Sequence, residues 1–134
     1  LTGTEQILPE KYLGASDFKK MLLGASIFFN REKERINALN VFPVPDGDTG
    51  TNMSMTLQSA LEGSLEYEGE SIGELSEIVA HKALMGARGN SGVILSQILR
   101  GIARGLQKKE AITPGELSKA FQYGVVYAYK AVSK

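Results

Sequence analysis

The segment Asn40-Val-Phe-Pro-Val-Pro-Asp-Gly-Asp-Thr-Gly-Thr-Asn-Met53 decides the fold class. Its first half, with Val41, Phe42 and Val44, is the part of the chain closest to a β-strand in composition, but Pro43 and Pro45 interrupt it. Proline offers no amide hydrogen to a sheet ladder, so this run reads as a stiff, extended linker. No other stretch reads convincingly as a strand, and the chain is expected to be all-α.

On either side of that segment, five helices are expected. Upstream, residues 17–39 carry Phe18, Met21, Leu22, Ala25, Phe28 and Phe29 at spacings of three and four, with Ser16 or Asp17 as N-cap. Arg31-Glu-Lys-Glu-Arg35 reads as a polar break or a solvated turn within it. Downstream, residues 51–67, 72–86 and 91–108 repeat the helical spacing. The fifth helix opens on Thr113-Pro-Gly-Glu116: a Thr cap, Pro at the first helical position and Glu three residues after the cap. It continues through Leu117, Phe121, Val125 and Ala128 toward Val132, still apolar where the sequence stops. The acidic stretch with Glu62, Glu66, Glu68 and Glu70 reads as a solvated helix end and loop.

Composition narrows the function. The 134 residues amount to a single domain, on a prior of roughly 100–200 residues per domain. Lys plus Arg and Asp plus Glu are 15 each, so the chain is neutral and a poor nonspecific nucleic-acid binder. There is no Cys, which excludes disulfides, thiolate zinc sites and Cys nucleophiles; His81 alone cannot build a His-rich zinc site. No apolar run reaches the roughly 18–20 residues that cross a bilayer. The opening Leu1-Thr-Gly-Thr-Glu-Gln6 has no signal-peptide pattern, and the expected location is the cytoplasm.

The chemistry gathers at two helix starts. Asp46 and Asp48 flank a glycine, and two carboxylates this close repel unless a cation or donor lies between them. Hard oxygen ligands without imidazole or thiolate favour Mg²⁺ or Ca²⁺. An EF-hand from Asp46 fails, because Gly50, Thr51 and Leu57 stand where an acid or amide, a glycine and a glutamate are required. Thr49, Gly50, Thr51 and Asn52 then lead into a helix whose free amides favour an anion. A cation site beside an anion site is what a metal–nucleotide needs; the plainer reading is an acidic turn that caps a helix.

The second start is His81-Lys-Ala-Leu-Met-Gly-Ala-Arg-Gly-Asn-Ser-Gly92. Gly86, Gly89 and Gly92 permit close backbone approach, and Asn90 and Ser91 open a helix. No Walker loop, dinucleotide fingerprint or nucleophile elbow fits here. A bare helix–helix turn is the alternative. His81 reads as a core or boundary residue, or as a hydrogen-bond donor to a phosphate; Arg88 reads as a phosphate contact or a solvated loop residue. Met53 and Met85 flank the two segments, as core residues or as walls of an adenine pocket.

Taken together, residues 37–53 and Gly86-Ala-Arg-Gly-Asn-Ser-Gly-Val-Ile-Leu-Ser-Gln97 resemble the ATP-binding domain of the dihydroxyacetone kinases, and within that superfamily the ATP-binding subunit of bacterial fatty acid kinase. The resemblance runs from Asp17 to the C-terminus. It implies an antiparallel up-and-down barrel of about eight helices, of which this chain supplies five or six as an N-terminal fragment, preceded by an extended segment over residues 1–15. It implies ATP and Mg²⁺ as cofactors, with Asp46 and Asp48 as catalytic metal ligands. Asn40 lies near a third ligand position, which is acidic in dihydroxyacetone kinases and one residue closer. Thr49, Thr51, Asn52 and Met53 fall beside the nucleotide, with His81, and Gly89, Asn90, Ser91 and Gly92 fall on the loop that holds the polyphosphate by its amides. The implied reaction moves the γ-phosphoryl group to a fatty acid carboxylate presented by a separate acyl-binding protein. That carboxylate is ionised at pH 7 and needs no general base. A dihydroxyacetone-type small-molecule kinase and a non-catalytic helical interaction module are the alternatives. The unfinished fifth helix also raises pairing of two copies.

Overall fold

The computed structural model describes residues 11–40 and 47–133. The linker expected at residues 41–45, the extended reading of residues 1–10, and Asp46 lie outside the described residues. Among the described residues there are five helices: α1 (Ala15–Ala38), α2 (Thr49–Leu65), α3 (Ile72–Met85), α4 (Gly89–Gly105) and α5 (Pro114–Val132). The fold is all-α, as the sequence predicts. The one strand-like feature described is an isolated antiparallel bridge, in which Leu13 N–H donates to Ile112 O at 2.7 Å and Ile112 N–H to Leu13 O at 2.9 Å. No helix among the described residues is long and apolar enough to cross a membrane.

Consecutive helices pack against one another, and α2 also packs on α4. Glycines show how closely. A Cβ on Gly63 or Gly86 would strike Lys82 or Ser59, so α2 and α3 run antiparallel in near-backbone contact. A Cβ on Gly73 would lie 2.6 Å from Leu106 O, which ties the start of α3 to the end of α4. That junction is also hydrogen-bonded: Gly73 N–H donates to Lys109 O at 2.9 Å, Ile72 N–H to Glu110 O at 3.0 Å and Ser71 Oγ to Lys109 O at 3.2 Å. With α3 antiparallel to both neighbours, α2 and α4 run parallel, and their N-termini share one end of the molecule.

The core centres on α3, where Ile72, Leu75, Val79 and Ala83 are completely buried, against Phe18 and Leu22 of α1, Leu57 and Ala60 of α2, and Leu99, Ile102 and Ala103 of α4. Leu106, Ile112 and Ala120 close it on the far side. Burial of this kind contributes about 25 cal/mol per Å² of apolar surface.

Several boundaries differ from expectation for local reasons. Helix α1 starts two residues early, and Gly14, not Ser16 or Asp17, is its N-cap. Asp17 acts from inside the first turn, accepting the Gly14 N–H at 2.9 Å. The Arg31–Arg35 run continues as helix, stitched on its solvent side by Arg35–Glu32 at 3.1 Å. Helices α2 and α4 each begin two residues before the expected position, so Asn90 and Ser91 lie within the first turn of α4. Phe28 is exposed, although its spacing places it with the apolar face of α1. Met85 is 74% exposed, because it is the last residue of α3 and projects beyond the packed turns.

The fifth helix corrects the expected contact face. Leu117, Phe121 and Val125 suggest a large-residue stripe, but Phe121 and Val125 are exposed, while Ala120 and Gly124 are buried. Those small residues meet Gly101 and Gly105 of α4: a Cβ on Gly101 would lie 2.4 Å from Tyr123 O, and one on Gly105 2.7 Å from Ala120 Cα. Small side chains on both helices let the axes approach. Phe121 then faces an apolar groove of about 220 Å³ between α1 and α5, walled also by Phe18, Leu22, Leu99, Ile102 and Leu117.

The start of α5 is closed by the expected capping box. Thr113 Oγ1 accepts the Glu116 N–H at 3.1 Å, and Glu116 Oε1 accepts the Thr113 N–H at 2.9 Å. Lys109 Nζ donates to Glu116 Oε2 at 2.7 Å. That bond, followed by the Thr113 amide, holds the Glu116 carboxyl below its ordinary 4.5. A depressed folded pKa stabilises fully above the ordinary glutamate range and is lost as pH falls through the folded value.

Two outcomes are expected. Leu75→Ala destabilises by about 2–5 kcal/mol, read from urea unfolding, because Leu75 is fully enclosed. Glu116→Gln lowers the melting temperature at neutral pH, and the gap to the parent closes as pH is taken below the ordinary 4.5. A gap that stays constant in acid refutes the role given to the carboxylate.

Candidate functional site

The site is built where the ends of α1, α2 and α4 converge. Helix α1 supplies Asn37, and the turn after it supplies Asn40. Asn37 Oδ1 accepts the Thr51 N–H at 3.0 Å, and its Nδ2 donates to Thr51 Oγ1 at 2.8 Å. This two-point clamp caps α2 from outside the helix, since Asp48 at the N-cap position makes no side-chain capping bond. Asn40 Oδ1 accepts the Asp48 N–H at 3.2 Å. Between the clamps the chain turns at Gly47, where φ is +68°, a conformation that favours glycine. Gly50 then passes so close to α1 that a Cβ would lie 2.3 Å from Lys33 O.

Helix α2 meets α4 along a stripe of small polar residues: Thr49, Asn52, Thr56 and Ser59, spaced three and four apart. Each meets the second glycine segment. Ser91 Oγ lies a long 3.4 Å from Thr49 O. Gly89 has φ +65°, and a Cβ there would lie 2.4 Å from Asn52 Nδ2. A Cβ on Gly92 would lie 2.5 Å from Thr56 Oγ1, and one on Gly86 2.1 Å from Ser59 Oγ. Thr56 Oγ1 donates to Asn52 O at 2.8 Å and accepts the Arg88 N–H at 3.3 Å. Thr56 is completely buried, so both of its bonds serve the junction.

The two helix starts differ in what they leave available. In α2 the Thr51 amide is taken by Asn37. In α4 no side chain caps the start, and the Gly89, Asn90 and Ser91 amides have no acceptor within the helix. The start of α4 is therefore the better candidate for holding an anion, and the parallel α2 adds the positive end of its dipole beside it. Asp48 is exposed, and its carboxylate makes no hydrogen bond or ion pair among the described residues. An unengaged carboxylate next to hydroxyl and carbonyl oxygens suits a hard divalent cation. Among the described residues no group of three or more acidic or His side chains comes together, and Asp46 lies outside them.

The structure thus brings Asn40, Asp48, Thr49, Thr51, Asn52, Gly89, Ser91 and Gly92 to one end of the molecule. Asn90 is exposed in the first turn of α4, and Met53 is half-buried in the first turn and a half of α2. His81 is not among this group. It is exposed on α3 and lines a hollow with Leu84, Ser96, Gln97 and Arg100, farther along α4. Asn37 and Thr56 belong to the site but do not announce themselves as ligands. The signal for Thr56 is the helical spacing of Thr49, Asn52, Thr56 and Ser59 on one face.

Gly89→Ala is expected to destabilise the chain by about 1–3 kcal/mol, because the β-carbon meets both an unfavourable φ and the Asn52 amide. Thermal melts followed by circular dichroism measure this; an unaltered melting temperature refutes the close approach at Gly89.

The family described as the DAK2 domain matches residues 43–134, which include α2 to α5 and the aspartate loop. Protein YloV of Bacillus subtilis (strain 168) is 43% identical over 122 residues, covering 91% of this chain and 22% of that protein. Uncharacterized protein SH1689 of Staphylococcus haemolyticus and uncharacterized protein SAUSA300_1119 of Staphylococcus aureus (strain USA300) are each 44% identical over 117 residues, covering 87% of this chain and 21% of those proteins. The chain therefore spans about a fifth of the length of these curated relatives. With the family matched across most of its length, the chain belongs to the DAK2 domain family, a kinase-related family whose members include the ATP-binding part of dihydroxyacetone kinases.

Proposed function

We propose that this chain is the Mg-ATP-binding part of a kinase that transfers the γ-phosphoryl group to a fatty acid carboxylate, held by a separate acyl-binding protein, to give an acyl phosphate. The observation that carries the nucleotide half is the junction of α2 and α4. The uncapped start of α4 lies beside the Asp48 loop, held there by Gly89 against Asn52 and Gly92 against Thr56. The acceptor half rests on the sequence pattern of residues 37–53.

In this reading the Gly89, Asn90 and Ser91 amides hold the polyphosphate, as helix starts hold anions. Asp46 and Asp48 would hold Mg²⁺, which would supply positive charge to neutralise the charge that spreads over the transferred group. Asn40 sets the Asp48 backbone through its bond to the Asp48 amide. Asn37 keeps Thr51 turned toward α1 and so fixes the first turn of α2. Phosphoryl transfer depends mainly on such positioning and on electrostatics. A carboxylate acceptor is already ionised at neutral pH, so these residues need only align it with the nucleotide.

Titration of ATP into the chain tests this. Binding is expected with Mg²⁺ and absent with excess chelator, and Asp48→Ala is expected to weaken it at least roughly tenfold while helical content is kept. Equal binding with and without Mg²⁺, or an unchanged Asp48→Ala variant, refutes the metal–nucleotide assignment. With the acyl-binding partner added, hydroxylamine trapping of an acyl phosphate from a fatty acid, and none of a phosphorylated product from dihydroxyacetone, supports the acceptor; the reverse refutes it.

A further inference from the structure

A groove between α3 and α4 lies away from the nucleotide end. It consists of two hollows that meet at Ala80 and Arg100. One, of about 230 Å³, is lined by Glu77, Arg100, Arg104, Gln107 and Tyr127 over a floor of Ala80 and Ala103. The other, of about 320 Å³, continues past His81, Leu84, Ser96 and Gln97. Ala80, Ser96 and Ala103 are buried, so the floor is made of small residues and the walls of long polar ones.

Charge distinguishes this groove. Arg100 and Arg104 are exposed, one helical turn apart on α4, and neither has a hydrogen-bond or ion-pair partner among the described residues. Glu77 is the one acidic side chain in the same wall, and it lies outside ion-pair distance of both. The ion pairs of the described residues are all elsewhere: Arg35 with Glu32, Lys82 with Glu66, and Lys109 with Glu116. At the rim Lys130 adds a further cation, its Nζ 5.5 Å from the centre of the Tyr127 ring. In a chain of zero net charge, two unpaired guanidinium groups in one groove are a local positive site.

We propose that the α3–α4 groove docks an extended acidic segment of a partner protein, with carboxylates at alternate positions taken by Arg100 and Arg104. The spacing favours such a segment. Residues four apart on a helix stand about 6 Å apart at Cβ. Alternate side chains of an extended strand point the same way about 6.6 Å apart. An acid-x-acid sequence therefore matches the two guanidinium groups, each of which can grip a carboxylate with paired N–H donors. The two hollows run from Ser96 on α4 to Gln107 in the turn after it, about 16 Å at roughly 1.5 Å per residue, which suits a segment rather than a single small ion. Gln97, Gln107 and the Tyr127 hydroxyl offer partners to its backbone, and the small floor lets that backbone approach.

The test uses the 134-residue chain and a fluorescein-labelled peptide, Ala-Glu-Ala-Glu-Ala-Glu-Ala, with the same peptide carrying Gln for Glu as reference. Fluorescence anisotropy at low salt is expected to show saturable binding of the acidic peptide alone. The double variant R100Q/R104Q is expected to weaken it at least roughly tenfold, whereas the charge-matched K20Q/K119Q leaves it unchanged. Circular dichroism melts of both variants separate loss of binding from loss of fold, and both sites are exposed enough that the melts should coincide with the parent. Equal weakening by the two double variants overturns the proposal, since that is nonspecific attraction. Displacement of the peptide by equimolar inorganic phosphate overturns it in favour of a small-anion site. Self-association abolished by R100Q/R104Q, seen by sedimentation, overturns it in favour of a second copy of the chain.

Discussion

Gly89 passes over Asn52 and Gly92 over Thr56 at distances that leave no room for a β-carbon on either glycine. This close crossing of α2 and α4 is the constraint on which the rest of the site depends. It holds two parallel helices with their starts side by side, so that two positive dipole ends serve one place. Buried Thr56 makes the crossing specific, because its hydroxyl both donates to Asn52 O and accepts the Arg88 amide. A larger residue at Gly92 would press on the buried Thr56 hydroxyl, one at Gly89 would be held at an unfavourable φ against Asn52, and a residue without a hydroxyl at position 56 would leave the Arg88 amide unsatisfied.

Around that crossing the molecule uses asparagine where a reader of charges looks for aspartate. Asn37 near the end of α1 and Asn40 just after it hold the start of α2, one on the Thr51 amide and hydroxyl and the other on the Asp48 amide. An amide side chain can donate and accept at once, which a carboxylate cannot. The asparagines therefore hold the backbone, while the Asp48 carboxylate has no hydrogen-bond or ion-pair partner among the described residues.

The far end is organised on another principle. There the start of α3, the turn after α4 and the capping box of α5 are joined by Gly73, Ser71, Lys109 and Glu116 in a continuous set of hydrogen bonds. The two ends are connected by the fully buried residues of α3. The end where α2 and α4 begin carries exposed amides and a carboxylate without a partner among the described residues, while the opposite end is closed by these hydrogen bonds. A rigid base under an open rim is suited to positioning a ligand.

Much of this was legible from the sequence. The all-α class followed from helical spacing and from prolines in the one strand-like run, and the α5 cap followed from Thr113-Pro-Gly-Glu116, because these signals act between neighbouring residues. The two glycine segments were recognisable as places of close backbone approach, since glycine spacing marks such places locally. Other features could not be read there. The buried face of α5 is Ala120 and Gly124 rather than Phe121 and Val125, because small residues allow the closer approach to Gly101 and Gly105. The capping of α2 by Asn37, the bond of Thr56 to Arg88 and the position of His81 beside Gln97 and Arg100 join residues that are 14, 32 and more than a dozen positions apart. Local sequence determined which helices form and where their chemistry begins; tertiary packing decided which faces meet, because that choice rests on how near two backbones can come.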